Sequence, residues 1–142
     1  IHSRVRFEEG APERDRPLAG QSPYLVNAGL FYQHDDKGIS ASLLYNRIGK
    51  RIESVGVPMQ NQNEDIPDIY EMPRNSLDLT FSKKIGKVVE IKAGIQDMLN
   101  SKIEYKQFVK LADENGGKRE REQLVRSYRP GVDINVGVSL KF

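Results

Sequence analysis

The chain has 142 residues, about the length of a single domain. Its 22 basic and 20 acidic residues are interspersed and leave a formal net charge of +2, so no basic block indicates binding to nucleic acid. The absence of cysteine excludes a disulfide framework, a thiolate metal site and a cysteine nucleophile. No segment has the roughly 20 consecutive apolar residues that a membrane-spanning helix requires. A membrane β-barrel is still possible, because only alternate residues of its strands face lipid.

An alternation of apolar and polar residues predicts strands along much of the chain. The segment from Ile1 to Phe7 is expected to be the tail of one strand. Because the chain begins there without an apolar signal segment, we expect a mature or truncated protein. Four further runs cover residues 24–33, 39–46, 77–82 and 89–96. The residues that share the apolar face in these runs are Tyr24, Val26, Ala28, Leu30, Tyr32, Ile39, Ala41, Leu43, Tyr45, Leu77, Leu79, Phe81, Val89, Ile91, Ala93 and Ile95.

The last run shows the clearest alternation. Every second residue from Val132 to Phe142 is apolar, and each residue between them is polar or glycine. Successive side chains of a strand point to opposite faces, so this segment is predicted to have one apolar and one polar face.

Short and long connections alternate between the predicted strands. Residues 33–38 and 83–87 are short turns that contain glycine, whereas residues 47–75 and 100–131 are long and polar. Outer-membrane barrels have short periplasmic turns and long extracellular loops. We therefore predict an all-β fold, an antiparallel up-and-down meander of about five long strands that forms a segment of a transmembrane β-barrel. The short turns should lie at one end of the sheet and the long connections at the other.

Aromatic residues occur near the ends of the predicted strands. Such rings settle at the two membrane interfaces, which makes Tyr24, Tyr32, Tyr45 and Phe81 candidate interface aromatics. The alternative is that aromatic residues simply favour strands.

Five strands are too few for a closed barrel. Even the smallest single-chain membrane barrels need roughly eight strands, and an open sheet in lipid would leave unpaired backbone groups at both edges. We therefore expect a piece of a longer chain or a subunit of an oligomeric barrel, and the start of the chain inside a possible strand favours the former.

Two motifs resemble the closing strands of TonB-dependent outer-membrane receptors. The segment Gly94-Ile-Gln-Asp-Met-Leu-Asn-Ser-Lys-Ile-Glu-Tyr105 resembles their penultimate strand. The segment from Arg129 to Phe142 resembles the last strand, which Pro-Gly introduces and an aromatic residue ends. Residues 16–24 and 73–79 are similar to versions found in receptors of Bacteroidota. Met98-Leu99 and Leu140 depart from the commoner residues but keep the polarity of each face.

The resemblance implies an organisation and a function. Residues 1–22 would hold the end of a preceding strand and an extracellular loop, and residues 23–142 would form the C-terminal barrel strands without a plug. The family imports scarce nutrients (siderophores, vitamins, glycans or peptides) across the Gram-negative outer membrane by energy-coupled transport, through a plugged barrel of about 22 strands. The implied partners are outer-membrane lipid, the β-barrel assembly machinery, and TonB through the missing N-terminal part only. No nucleic-acid partner is expected.

The resemblance also implies an assembly signal in the last strand, recognised by the machinery that inserts outer-membrane barrels. The alternative is an ordinary last strand that ends in phenylalanine. The residues of the implied signal are Ile134, Val136, Val138, Leu140 and Phe142.

No other motif predicts chemistry, and we expect no enzyme, no cofactor and no metal. His2 and His34 are far apart, and the acidic residues between Glu64 and Glu71 lack the spacing of a calcium loop. Basic residues between Lys118 and Arg129 could meet lipopolysaccharide phosphates or an anionic siderophore, but their acidic neighbours favour a solvated loop. Ligand-binding residues are left unassigned. Two alternatives stay open: another outer-membrane barrel, such as a porin-like channel or an assembly protein, and a soluble lipocalin-like binding protein.

Overall fold

The computed structural model describes residues 4–6, 16–57, 66–112 and 118–140. These residues form eleven β-strands and no helix, and every strand pairing is antiparallel. The strands are β1 (Arg4–Val5), β2 (Arg16–Pro17), β3 (Leu25–His34), β4 (Ile39–Ile48), β5 (Arg51–Ser54), β6 (Ile69–Glu71), β7 (Arg74–Ile85), β8 (Val89–Gln96), β9 (Ile103–Ala112), β10 (Lys118–Tyr128) and β11 (Asp133–Leu140).

The described residues include no helix with the length and apolar character needed to span a membrane.

Five long strands form one sheet, called the meander sheet below, with the order β11-β8-β7-β4-β3. Its order follows the order of the predicted strands along the chain, so the predicted all-β antiparallel meander is confirmed. Strand β7 begins at Arg74, three residues before the predicted start at Leu77. The polar segment Arg74-Asn-Ser76 extends this strand because it pairs with the end of β4.

The two short turns lie at the same end of the meander sheet, as predicted. The turn between β3 and β4 ends at Gly38, whose carbonyl accepts a hydrogen bond of 2.7 Å from the backbone N–H of Lys84, near the end of β7. Gly38 has a φ of 60°, and an added Cβ would lie 2.9 Å from the Cβ of Lys84. Glycine therefore permits both the left-handed turn and its close approach to β7.

The long connections were predicted to be loops, and this prediction is wrong. They contain β5, β6, β9 and β10, which form a second sheet in the order β10-β9-β6-β5. Strand β10 was missed because it begins with the charged residues Lys-Arg-Glu-Arg-Glu and so has no apolar face at that end. It is held to β9 by a backbone ladder that begins at Lys118 and ends at Tyr128.

The expected amino-terminal strand is seen only in part. Of residues 1–7, the structure describes 4–6, and β1 pairs with β2 through Arg4 with Pro17 and Val5 with Arg16. The remaining residues of that predicted strand lie outside the described part.

The chain divides into two compact units. One comprises residues 1–24, 49–73 and 103–128, and it includes the second sheet. Its core holds the buried side chains of Ile52, Ile103 and Tyr105 beside a buried carboxylate, Glu71. The other comprises residues 25–48, 74–102 and 129–142, and it includes the meander sheet.

Candidate functional site

The registers of the meander sheet align apolar residues in rows that cross all five strands. The central row is formed, from β3 to β11, by Leu30, Leu43, Leu79, Ile95 and Ile134. A second row on the same face consists of Tyr32, Ala41, Phe81, Ala93 and Val136. A third row consists of His34, Ile39, Lys83, Ile91 and Val138. This face is called the apolar face. The prediction that one face would carry Ile39, Leu43, Leu79, Ile91, Ile95, Ile134 and Val138 is confirmed.

The described side chains of the apolar face are exposed or half-buried. Leu30 is 72% exposed, Ile134 69% and Val136 72%. None of the described hydrophobic residues of the meander sheet is buried. The buried apolar side chains of the described residues, Ile52, Ile103 and Tyr105, all belong to the other unit. Fully covering an aliphatic side chain stabilises a protein by about 1.5–3 kcal/mol, so this face leaves a large favourable term unused in water. Contiguous apolar surface of this kind marks an interaction site.

The opposite face of the meander sheet is mainly polar. Hydroxyl groups pair across β4 and β7, Ser40 with Ser82 at 2.7 Å and Ser42 with Thr80. A shallow depression of about 310 Å³ lies on this polar face and is lined in part by Lys92, Gln96 and Asn135. Apolar residues interrupt the polar face on its β3 side: Leu25, Phe31 and Leu44, all exposed, and Ile48, which pairs with Leu25. The two faces therefore differ in polarity, as the alternation predicts.

Two basic residues lie on the apolar face. At the end towards the long connections, Arg47 of β4 pairs in register with Asn75 of β7. Towards the short turns, Lys83 of β7 stands opposite Ile39 of β4 and Ile91 of β8. A further apolar row lies beyond it and consists of Ile85, Val89 and Leu140. Three rows, those of Tyr45, Leu43 and Ala41, lie between the row of Arg47 and the row of Lys83.

Three side chains form a hydrogen-bonded cluster around Asn75. Its side-chain oxygen accepts one hydrogen bond of 2.8 Å from the Tyr45 hydroxyl and another of 3.0 Å from Nη1 of Arg47. Tyr45 and Arg47 are two residues apart on β4 and so share a face. The cluster fixes the direction of both side chains on the apolar face.

The implied assembly signal lies on β11, an edge strand of the described meander sheet. Ile134, Val136, Val138 and Leu140 all lie on the apolar face and are exposed. Phe142 lies outside the described residues. The recognition of this strand by assembly machinery stays a prediction.

The candidate interface aromatics occupy different positions. Tyr32 and Phe81 lie in one row, each exposed, near the short-turn end. Tyr45 lies two rows away and belongs to the Asn75 cluster. Tyr24 directly precedes β3, and its carbonyl accepts hydrogen bonds from the N–H of Gly49 and the hydroxyl of Ser22. Their role at a membrane interface stays a prediction.

The second sheet holds a buried ion pair that the sequence did not predict. Glu71 is 3% exposed, and one of its oxygens accepts hydrogen bonds of 2.8 and 2.6 Å from Nε and Nη2 of Arg51. The same row continues through Tyr105 of β9 to Arg126 of β10, whose guanidinium lies 4.3 Å from the Tyr105 ring centroid. Tyr128 stacks on Tyr105 with ring centroids 6.5 Å apart. The ion pair, the contact between the Arg126 guanidinium and the Tyr105 ring, and the ring stack therefore stabilise this face of the sheet.

A second cation and ring cluster lies on the opposite face of that sheet. Nζ of Lys50 is 4.1 Å from the ring centroid of Tyr70 and 3.8 Å from that of Phe108. Burial raises the pKa of Tyr70, and the neighbouring carboxylate Asp68 raises it further. On β9, the hydrogen bond to Glu122 raises the pKa of Lys106, whose ammonium also lies near Glu104.

A β-bulge determines which side of β10 carries its arginines. The register shifts between Leu124 and Arg126, so that Arg126 pairs with Tyr105 while Arg121 pairs with Val109. Tyr105 and Val109 lie on the same face of β9, and the bulge therefore brings Arg126 to the face that also carries Arg121. An unbroken two-residue alternation would have placed these arginines on opposite faces, and for this reason the sequence pattern did not reveal the grouping.

The polar residues considered for metal binding do not assemble. No group of three or more histidine, cysteine, aspartate or glutamate side chains could hold a metal ion among the residues described. Asp68 and Glu71 form other contacts, to the N–H of Gly56 and to Arg51 respectively. Glu64, Asp65 and His2 lie outside the described residues, and Nδ1 of His34 faces the backbone N–H of Lys37 at 3.4 Å.

Sequence reasoning missed the Arg51–Glu71 pair, the Lys50 cluster and the Asn75 cluster. The members of each are separated along the chain, as the 28 residues between Arg47 and Asn75 illustrate. Only the strand registers bring them together. One signal was available in the sequence. Tyr45 and Arg47 are two residues apart, so both lie on the apolar face once β4 is recognised as a strand.

Comparison with known proteins adds no identification. No protein-family model, curated protein or solved structure matches the chain.

Proposed function

We propose that this chain is the C-terminal part of a TonB-dependent receptor of the Gram-negative outer membrane, which takes up a scarce nutrient by energy-coupled transport. In this proposal the apolar face of the meander sheet contacts lipid, and its polar face lines the interior of the barrel. The residues described would supply barrel wall and loop structure, with no catalytic role. The strand-end motifs that resemble this receptor family direct the proposal to it rather than to another barrel.

One observation carries the membrane part of the proposal. Apolar rows cross all five strands of the meander sheet on one face, and none of their described side chains is buried. A soluble sheet buries such a face against a second layer. A barrel wall instead faces hydrocarbon on the outside and a polar interior on the inside, and it needs no such layer.

The connections support the same proposal. The short turns meet at one end of the meander sheet, and the connections that hold β5, β6, β9 and β10 leave from the other end. Outer-membrane barrels have this asymmetry, with short turns in the periplasm and long segments outside the cell. The edge strands β3 and β11 would pair with barrel strands supplied by the rest of the protein.

Surface labelling of the full-length protein in intact cells tests the membrane part. A peptide tag inserted between Gly116 and Gly117 should be accessible to antibody, because that site lies in a long connection. The same tag inserted after Asp36, in a short turn, should become accessible only after the outer membrane is permeabilised. Equal accessibility of both tags in intact cells, or recovery of the protein in the soluble fraction, would refute a barrel that spans the outer membrane.

A second experiment tests the TonB-dependent part. The segment of the full-length protein that precedes this chain should cross-link to TonB when the cells are energised. A porin-like channel or an assembly protein would pass the labelling test and show no cross-link to TonB. The two measurements therefore separate the proposal from both of its alternatives.

A further inference from the structure

Strand β10 carries three arginines on one face of the second sheet. The register shift between Leu124 and Arg126 brings Arg126 to the face that also carries Arg119 and Arg121. All three side chains are exposed, and together they are called the arginine stripe below. Their partners on β9, in the same order from Arg119 to Arg126, are Leu111, Val109 and Tyr105.

The acidic residues of β10 lie on the opposite face. Glu122 forms an ion pair with Lys106 there, and Glu120 lies close enough to Tyr70 to contribute to the raised pKa of its hydroxyl. Basic and acidic residues that alternate in the sequence are therefore separated between the two faces of the sheet. The acidic neighbours that favoured a solvated loop do not pair with the arginines.

The charges of the arginine stripe lie along a line and do not converge on one point. Counted along β9, Arg119 is two residues from Arg121 and six from Arg126, which corresponds to about 7 and 20 Å. Among the described residues, Arg119 and Arg121 have neither an ion pair nor a side-chain hydrogen bond. A small anion can reach only part of this stripe, whereas a long ligand with repeated negative charges can reach all of it.

Uncharged groups on the same face can bind hydroxyl groups and sugar rings. Gln123 lies between Arg121 and Arg126 and pairs with Gln107 of β9. A side-chain amide both donates and accepts hydrogen bonds, as a sugar hydroxyl does. Tyr128 lies beyond Arg126 at the end of the stripe, and its amphipathic ring is 43% exposed.

These groups fit a polysaccharide better than two other kinds of polyanion. Proteins bind single-stranded nucleic acid through aromatic side chains that stack on successive bases, and β10 has no aromatic residue between Arg119 and Arg126. Proteins bind extended peptides by pairing with a sheet edge and by pockets for alternate side chains. The arginine side chains instead project from a face of the sheet.

We propose that the arginine stripe binds an acidic polysaccharide, a linear sugar polymer with carboxylates on its repeating units. The planar guanidinium groups bind the carboxylates, to which their fork of donors is suited. Gln123 binds hydroxyl groups, and Tyr128 packs against a sugar ring at one end. The inference rests on the proposed function in one respect, because the long connections must be extracellular for the stripe to meet such a polymer outside the cell.

Glu120 provides a matched control for the arginines. It lies between Arg119 and Arg121 in the sequence but on the opposite face of the sheet. Arg121→Gln and Glu120→Gln each change the net charge by one unit, in opposite senses, at neighbouring positions. If only net charge mattered, Glu120→Gln would strengthen binding about as much as Arg121→Gln weakens it. If the face matters, only the arginine variants should change the affinity.

The experiment measures binding of polygalacturonate to the purified full-length protein in detergent by isothermal titration calorimetry. The fully methyl-esterified polymer of the same length is the uncharged comparison and should bind weakly to every variant. The parent protein and Glu120→Gln should bind polygalacturonate with similar affinity. Arg119→Gln and Arg121→Gln should each weaken binding about fivefold, as expected for loss of one exposed ion pair, and the double variant about twentyfold. An unchanged Tm of each variant shows that its fold is retained.

Several outcomes would overturn the inference. Equal affinity of the parent and the double arginine variant for polygalacturonate would exclude this surface, and a gain in Glu120→Gln equal to the loss in Arg121→Gln would show an effect of net charge alone. Tighter binding of polyglutamate or of oligothymidylate would assign a peptide or a nucleic acid as the partner. Displacement of the polymer by millimolar citrate would show a site for a small anion. These measurements do not depend on the surface labelling described above, and failure of that labelling would instead refute the proposed function.

Discussion

Arginine substitutions along β11 provide a direct test of the lipid-facing assignment. Ile134 lies in the central row, midway between the levels of Arg47 and Lys83. Val136 lies one row, about 7 Å along the strand, towards Lys83, and Val138 lies in the row of Lys83 itself. All three side chains are exposed on the apolar face.

The energetic cost should follow membrane depth. An arginine facing lipid at the midplane costs about 2–4 kcal/mol and at the interface about 0–1 kcal/mol. We therefore expect Ile134→Arg to destabilise the protein by about 4 kcal/mol, Val136→Arg by about 3 and Val138→Arg by about 1 or less. Asn135→Arg introduces the same side chain on the polar face between the first two positions and should cost under about 1 kcal/mol.

Equilibrium unfolding of the full-length protein in lipid vesicles measures these differences. The free-energy change of each variant is given by the shift of its urea midpoint, provided that the dependence of the unfolding free energy on urea concentration is unchanged. Electrophoretic mobility without heating gives the folded fraction independently. A flat series across the three rows would refute the depth assignment. A loss for Asn135→Arg as large as that for Val136→Arg would show that the faces are assigned wrongly.

Three further predictions concern other parts of the chain. Deletion of Phe142 from the full-length protein should reduce the amount of protein inserted in the outer membrane, measured by blotting of the membrane fraction. Ligand affinity per inserted molecule should stay near normal. Normal insertion after the deletion would show that Phe142 is an ordinary strand residue. Glu71→Ala should destabilise the second sheet by about 2–3 kcal/mol in thermal unfolding, because Arg51 loses its buried partner, and Glu53→Ala at an exposed position serves as the control. The raised pKa of Tyr70 means that its contribution to stability is complete below about pH 10 and is lost as the pH rises through its higher folded-state pKa. Tyr70→Phe should accordingly remove a late-titrating group from the alkaline tyrosinate absorbance curve, and an unchanged curve would contradict the assigned environment.

The meander sheet was predictable because each strand carries its own signal. A strand with one apolar and one polar face shows a two-residue period within its own sequence, as the run from Val132 to Leu140 does. The antiparallel pairing of β3 with β4 and of β7 with β8 then follows from turns too short for a crossover. The start of β7 at Arg74 was missed because its first three residues are polar and are included only through pairing with β4.

The second sheet was not predictable in the same way. Its strands are stabilised by contacts between strands: the Arg51–Glu71 pair, the Tyr105–Tyr128 stack and the ion pair between Lys106 and Glu122. Of its two long strands, β9 has alternate apolar residues at Ile103, Tyr105, Val109 and Leu111, but the contacts themselves join residues far apart in the sequence. The bulge in β10 also breaks the alternation near Arg126. Charged residues in a long connection were therefore interpreted as a solvated loop.

The two units meet the requirement for apolar burial in different ways. The second sheet places Ile52, Ile103 and Tyr105 in a core of its own and pairs the buried carboxylate of Glu71 with Arg51. The meander sheet has longer strands and more aliphatic side chains, yet it leaves its apolar rows uncovered among the described residues. Since the free energy of burial grows with apolar area, the unit with more apolar surface should depend more on what covers it. Under the proposed function, the stability of the meander sheet should therefore respond strongly to lipid, and that of the second sheet should follow its internal ion pair and ring contacts.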